Sequence, residues 1–153
     1  MNRSSYLTRK IDETDHTILA ALFADGRITT ARVAKMMRMS SPSVAARILK
    51  LKDAGAIKGY TVVIDPKVFG FGIAAHVRMN AKLGEAKRLE QMLGDSPEIV
   101  EADHITGGDC FMTKVVVRDA EELKAVLDRF STFAATESAI IMSSTVPRRL
   151  PKM

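Results

Sequence analysis

The chain carries one cysteine in 153 residues, three histidines, and no apolar run near the ~18 residues that a membrane-crossing helix needs. Each shortage narrows the possibilities. Cys110 alone cannot close an intrachain disulfide, so a reducing, cytoplasmic setting is expected. The opening MNRSSYLTRK has no apolar core segment, so neither a signal peptide nor a membrane span is expected. Metal-ligating groups are sparse. Asp103, His104, Asp109 and Cys110 are close in sequence, but strand alternation sends Asp103 and His104 to opposite faces. No cysteine-enzyme signature surrounds Cys110, and the nearest candidate base, His104, stands six residues before it on the preceding strand. No catalytic residue, metal or cofactor is therefore expected.

Hydrophobic residues make up 46% of the chain, the mark of a folded protein. The length suits one ordinary domain or two small ones, and two small ones gain buried area by associating with further copies. The net charge of +5 is unevenly placed. Residues 1–72 hold 12 Lys/Arg against 6 Asp/Glu, whereas residues 73–153 hold 11 against 12. Only the first half is suited to meet a polyanion.

That first half has the grammar of three helices. Asp12 is an N-cap with Asp15 three residues on, and Ile11, Ile18, Leu19 and Leu22 recur at helical spacing until Asp25-Gly26 stops the run, with Gly26 free to take positive φ. Thr29 caps a shorter helix with Val33, Ala34 and Met37 inward. Ser40 or Ser41 caps a third, with Pro42 in its first turn, Val44, Ile48 and Leu51 inward, and Gly55 at its end. Ser43, Arg47 and Lys50 share an adjacent stripe that reads as exposed. Two helices joined by a tight turn, the second with a small and basic outer face, form a helix-turn-helix pattern. Small residues let such a helix approach base edges, and Arg and Lys pair with phosphate or guanine. A plain three-helix bundle with solvated basic residues has the same periodicity. The stretch IKGYTVVIDPKVFGFG then reads as a short hairpin-like strand pair and linker, with Gly70 and Gly72 as a hinge.

The second half has a different rhythm. Strands are expected over 73–80, 98–106, 111–117 and 137–146, and helices over 84–95 and 119–130, the latter with a capping box from Asp119 and Glu122. The order βαββαβ matches a ferredoxin-like sheet with both helices on one face. Strands such as IAAHVRMN and FMTKVVV read as too apolar for a fully wet face, and a second copy would supply cover.

Taken in order, IDETDHTIL, DGRITTARVA, MSSPSVAARILKL, GAIKGYTVVIDPKVFGFG, ITGGDCF and TVPRRLP make the chain similar to the Lrp/AsnC (feast/famine) transcription regulators over nearly its whole length. The resemblance implies an α+β protein. A helix-turn-helix (winged-helix-like) domain would occupy 1–60, a strand and hinge linker 61–72, a ferredoxin-like βαββαβ effector (RAM) domain 73–146, and a basic tail 147–153. It also implies double-stranded DNA as partner, a homodimer assembling to an octamer, an amino-acid effector at interfaces between effector domains, and a place at the cytoplasmic nucleoid. Three positions depart from the family pattern. Arg32 stands where a Glu is usual, Arg38 where the turn often has Gly, and Cys110 where the effector-domain turn usually has its acid, which here comes one residue early as Asp109.

The expected DNA contacts are Ser41, Ser43, Arg47 and Lys50 on the recognition helix, with Arg38 and Lys58 on the backbone. Arg47 is expected to give the bidentate contact. The expected effector site is the TGGDC stretch, Thr106, Gly107, Gly108, Asp109 and Cys110. Its glycine N–H groups suit an α-carboxylate and Asp109 an α-ammonium. A tight β-turn with a solvated acid is the plainer reading. Two other readings remain: an architectural DNA-binding protein with no effector, and a redox sensor using Cys110, which would require an activated thiol.

Overall fold

A computed structural model of the chain describes residues 11–108, 110–146 and 148–151. Contacts divide it into two compact units: the described residues up to Val63 together with those from Val146 onward, and Ile64–Thr145.

The first unit is built on three helices, α1 (Glu13–Ala24), α2 (Thr30–Met37) and α3 (Ser41–Asp53). Each begins where a side chain satisfies orphan backbone N–H groups. The Asp12 carboxylate accepts from Asp15 N at 2.8 Å, and the Asp15 carboxylate accepts from Asp12 N at 3.3 Å. Thr29 caps α2, and Ser40 rather than Ser41 caps α3. The helix α1 stops at an extended Asp25, whose side chain accepts from Arg27 N, and Gly26 does not use a left-handed conformation. Ile18, Val33, Val44 and Leu51 are fully enclosed, with Leu19, Leu22, Met37 and Ile48 packed around them. Enclosing each of the four contributes roughly 1.5–3 kcal/mol.

Between α2 and α3, Arg38 adopts φ 53° and ψ 40°, the only left-handed non-glycine among the described residues. Its N–H and that of Met39 close the last carbonyls of α2. The position where the family often has glycine is thus one that glycine would fill without strain. The hairpin expected after α3 does not form, since residues 57–65 contain no strand among the described residues. A 3₁₀ turn, Pro66–Phe69, follows, capped by Asp65 and ended by Gly70 at φ 85°. Gly72 is not a free hinge. It is packed into the second unit, where a Cβ would lie 2.9 Å from Arg118 O.

The second unit runs β1 (Ile73–Ala81), α4 (Ala86–Asp95), β2 (Ile99–Ile105), β3 (Cys110–Val117), α5 (Ala120–Phe130) and β4 (Ala134–Ile140). The strands form one antiparallel sheet in the order β2-β3-β1-β4, the ferredoxin-like arrangement. Ala75, Val77, Met79, Phe111, Val115 and Val117 meet Leu89, Leu93, Leu123, Val126 and Phe130 in the core beneath the helices. Asp119 caps α5, but the reciprocal bond runs from Arg118 N, not Asp119 N, to Glu122 at 2.7 Å. The last strand starts and ends earlier than its sequence suggests. The uncovered face is mixed: His76, Arg78, Asn80, Lys114, Glu101 and Glu137 point outward, with Lys114 and Glu101 3.7 Å apart, and Ala74, Met112 and Val116 alternate with them on the same side.

Candidate functional site

On the first unit, α2, the turn at Arg38 and α3 assemble the helix-turn-helix. Arg38, Ser41, Ser43, Lys50 and Lys58 are all exposed. Ser43 Oγ lies 2.8 Å from Ser40 Oγ, so part of its hydrogen-bonding capacity serves the cap. Ala45, Ala46 and Leu49 are exposed as well and give α3 a small, partly apolar outer surface that the basic stripe did not reveal.

Arg47 is placed otherwise than expected. Its Nη1 donates to Asp12 Oδ2 at 2.7 Å and to Asp15 Oδ1 at 2.8 Å, and its side chain is 29% exposed. Asp15 itself is buried. Arg47's hydrogen bond holds the Asp12 carboxyl below the ordinary range, with help from the Asp15 N–H. The same contacts, Asp12 first, raise the arginine. One guanidinium nitrogen thus ties α3 to the start of α1, and its charge is met inside the unit. A helical wheel carries a hint of this: at 3.6 residues per turn, position 47 sits only about 65° from the centre of the Val44–Ile48–Leu51 stripe. Its partners lie 32 and 35 residues away, with no local signal.

In the second unit, the β2–β3 turn presents Thr106, Gly107 and Gly108, all exposed. The glycines take φ 113° and 78°. Their N–H groups have no hydrogen-bond partner among the described residues. Asp109, expected to meet an α-ammonium, lies outside the described residues. Cys110 is not a turn residue: it begins β3 and is fully buried. Its thiol donates to Asn80 Oδ1, and its sulfur accepts from Arg78 Nε at 3.2 Å. That enclosure removes the solvent access that peroxide oxidation needs. Arg78 is the residue that sequence reading missed. Its guanidinium stands beside the turn, where a Cβ on Gly107 would lie 3.8 Å from Nη2. The Cys110 contact, and at longer range Glu137, raise its pKa above the ordinary value. His104 turns to the helix side and stacks on Phe111 with ring centroids 4.7 Å apart. Two clefts of this unit, of about 320 and 440 Å³, are lined by other residues, and Thr106, Gly107 and Gly108 are exposed.

Comparison with known proteins agrees with both halves. The model of the AsnC-type helix-turn-helix domain matches residues 11–52, and that of the Lrp/AsnC ligand binding domain matches residues 74–151. The HTH-type transcriptional regulator FL11 of Pyrococcus horikoshii is 30% identical over 132 residues, covering 86% of this chain and 87% of its own. The structure of Bacillus subtilis LrpC superposes with a TM-score of 0.86 at 26% identity, covering 92% of this chain and all of its own. The feast or famine regulatory protein Rv3291c of M. tuberculosis, complexed with L-methionine, gives 0.80 at 26% identity, over 93% and 99% of the two chains. A helix-turn-helix head and a separately folded ligand-binding sheet, each matched by its own model, establish that this chain belongs to the Lrp/AsnC family of DNA-binding transcriptional regulators.

Proposed function

We propose that this regulator reads DNA through α3 and is controlled by a free amino acid held at the Thr106–Gly108 turn. The observation that carries the effector half is the pair of glycine N–H groups that have no partner among the described residues, on an exposed turn of a Lrp/AsnC ligand-binding domain. Such groups suit a carboxylate, and Asp109 next to them suits an ammonium. A related regulator bound to L-methionine supports the same class. In the head, Ser41, Ser43 and Lys50 meet the groove, Arg38 and Lys58 meet phosphates, and Arg47 positions α3. The chain acts in the cytoplasm as a homodimer that assembles further, and the open turn gains its second wall from another copy. The effector works by favouring one arrangement of paired heads over another, which requires different affinities for the two. No catalytic step belongs to this scheme.

The test is a calorimetric screen of the free amino acids followed by gel-shift titration with each that binds. One that binds the protein and shifts operator affinity supports the reading. If none does either, the chain is a ligand-independent architectural DNA binder and the effector half fails.

A further inference from the structure

One charged group in the second unit is accounted for neither by DNA contacts nor by the chemistry of the turn. We propose that Arg78 is the ionic anchor of the effector site and receives a carboxylate of the bound small molecule beside Gly107 and Gly108; this rests on the reading of the turn as an effector site.

Arg78 stands mid-strand on β1, on the uncovered face, with Met112 and Glu137 as register partners. Its Nε is committed. It donates to Cys110 Sγ, and the thiol in turn donates to Asn80, a chain that fixes the plane of the guanidinium. The two Nη groups have no hydrogen-bond partner among the described residues. Nor does any described carboxylate come within ion-pair distance: Glu137 acts on Arg78 only from further off. A thiol is a weak acceptor and does not itself neutralise the positive charge. The free edge is the one that faces the turn, since Nη2 is the atom a Gly107 side chain would meet. A planar fork with two free nitrogens matches a carboxylate, and a glycine at that spot keeps the approach open. The exposed backbone N–H groups of the same turn add further donors for that carboxylate. The ligand class is a small carboxylate, either the α-carboxylate of an amino acid or an acidic side chain.

The full-length protein and its Arg78→Gln and Arg78→Lys variants are titrated calorimetrically with each of the twenty protein amino acids. Those that bind are repeated as their α-amides. We expect Arg78→Gln to weaken the best-bound amino acid at least tenfold with an unchanged melting temperature, and Arg78→Lys to recover part of the loss. If the α-carboxylate is the anchored group, the α-amide binds the wild type as weakly as the acid binds Arg78→Gln. If a side-chain acid is anchored, the α-amide of aspartate or glutamate still discriminates wild type from Arg78→Gln. Equal affinity of wild type and Arg78→Gln overturns the assignment and leaves the effector site standing. Binding of no amino acid to the wild type overturns both. Should Arg78→Gln not fold, wild type and Arg78→Lys decide the matter: acid and amide bound alike by both, with no acidic amino acid preferred, overturns the anchor.

Discussion

Arg47 illustrates how a side chain of the expected type can serve a different purpose. Its charge is met by Asp12 and Asp15, so in the proposed reading it shapes the head and leaves the phosphate contacts to Arg38 and Lys58. The salt dependence of binding separates these roles. Lys58→Ala and Arg38→Gly should each lower the slope of log affinity against log salt by about 1, as a lost phosphate contact does. Arg47→Ala should weaken binding in step with its lowered melting temperature and leave that slope unchanged. Arg38→Gly carries a second signature, because relieving a left-handed non-glycine should raise stability by about 0.5–1 kcal/mol while affinity falls. Acid should expose the Arg47 tie. Asp12 titrates below its unfolded value when folded, so its contribution is complete above about pH 4 and disappears as pH falls through the lower folded value. Melting curves from pH 7 to 2 should show a lower plateau and a shallower acid limb for Arg47→Gln; an identical limb would count against the tie. None of this was readable from spacing alone, since α1 and α3 meet only through the tertiary fold.

Helices proved easier to read than strands, and the reasons are physical. A helix satisfies its own backbone, so caps at Asp12, Thr29, Ser40 and Asp119 and the periodic core residues suffice to place it. A strand ends where its partner ends. The apolar run Ile140–Met142 looks like continuing strand, yet β4 stops at Ile140, opposite Ala75, near the start of β1. Residues 60–64 are rich in β-branched side chains but have no ladder among the described residues, where the expected hairpin is absent. The mixed character of the open face was likewise hidden: a strand such as IAAHVRMN looks apolar as a string, and only the pleat sends His76, Arg78 and Asn80 to one side and Ala75, Val77 and Met79 to the other. Gly72 belongs to this scale too. A methyl group there would press on the Arg118 carbonyl, so Gly72→Ala should cost about 1–3 kcal/mol in the second unit, measured by denaturant unfolding. A neutral result would restore the hinge.

At the level of the complete chain, two units divide the labour, and the basic excess lies with the one that meets DNA. The candidate effector turn was legible as glycines, but its charged neighbour came from another strand, 29 residues earlier in the sequence than Gly107. Val62 and Val63 are 81% and 93% exposed, in a segment with no strand partner among the described residues. We expect the proposed homodimer to cover these side chains. Val63→Asp should therefore shift the species seen by light scattering towards monomer, with the individual units still folded by circular dichroism. An unchanged mass would move the interface elsewhere.

The enclosure of Cys110 has a practical consequence. Because the native chain's single thiol is shut away, the folded protein behaves towards maleimides as a cysteine-free background. A cysteine installed at the exposed Leu49 can then be spin-labelled alone, without first removing the natural one. Two such labels on neighbouring copies would read out the distance between recognition helices directly, on and off the duplex.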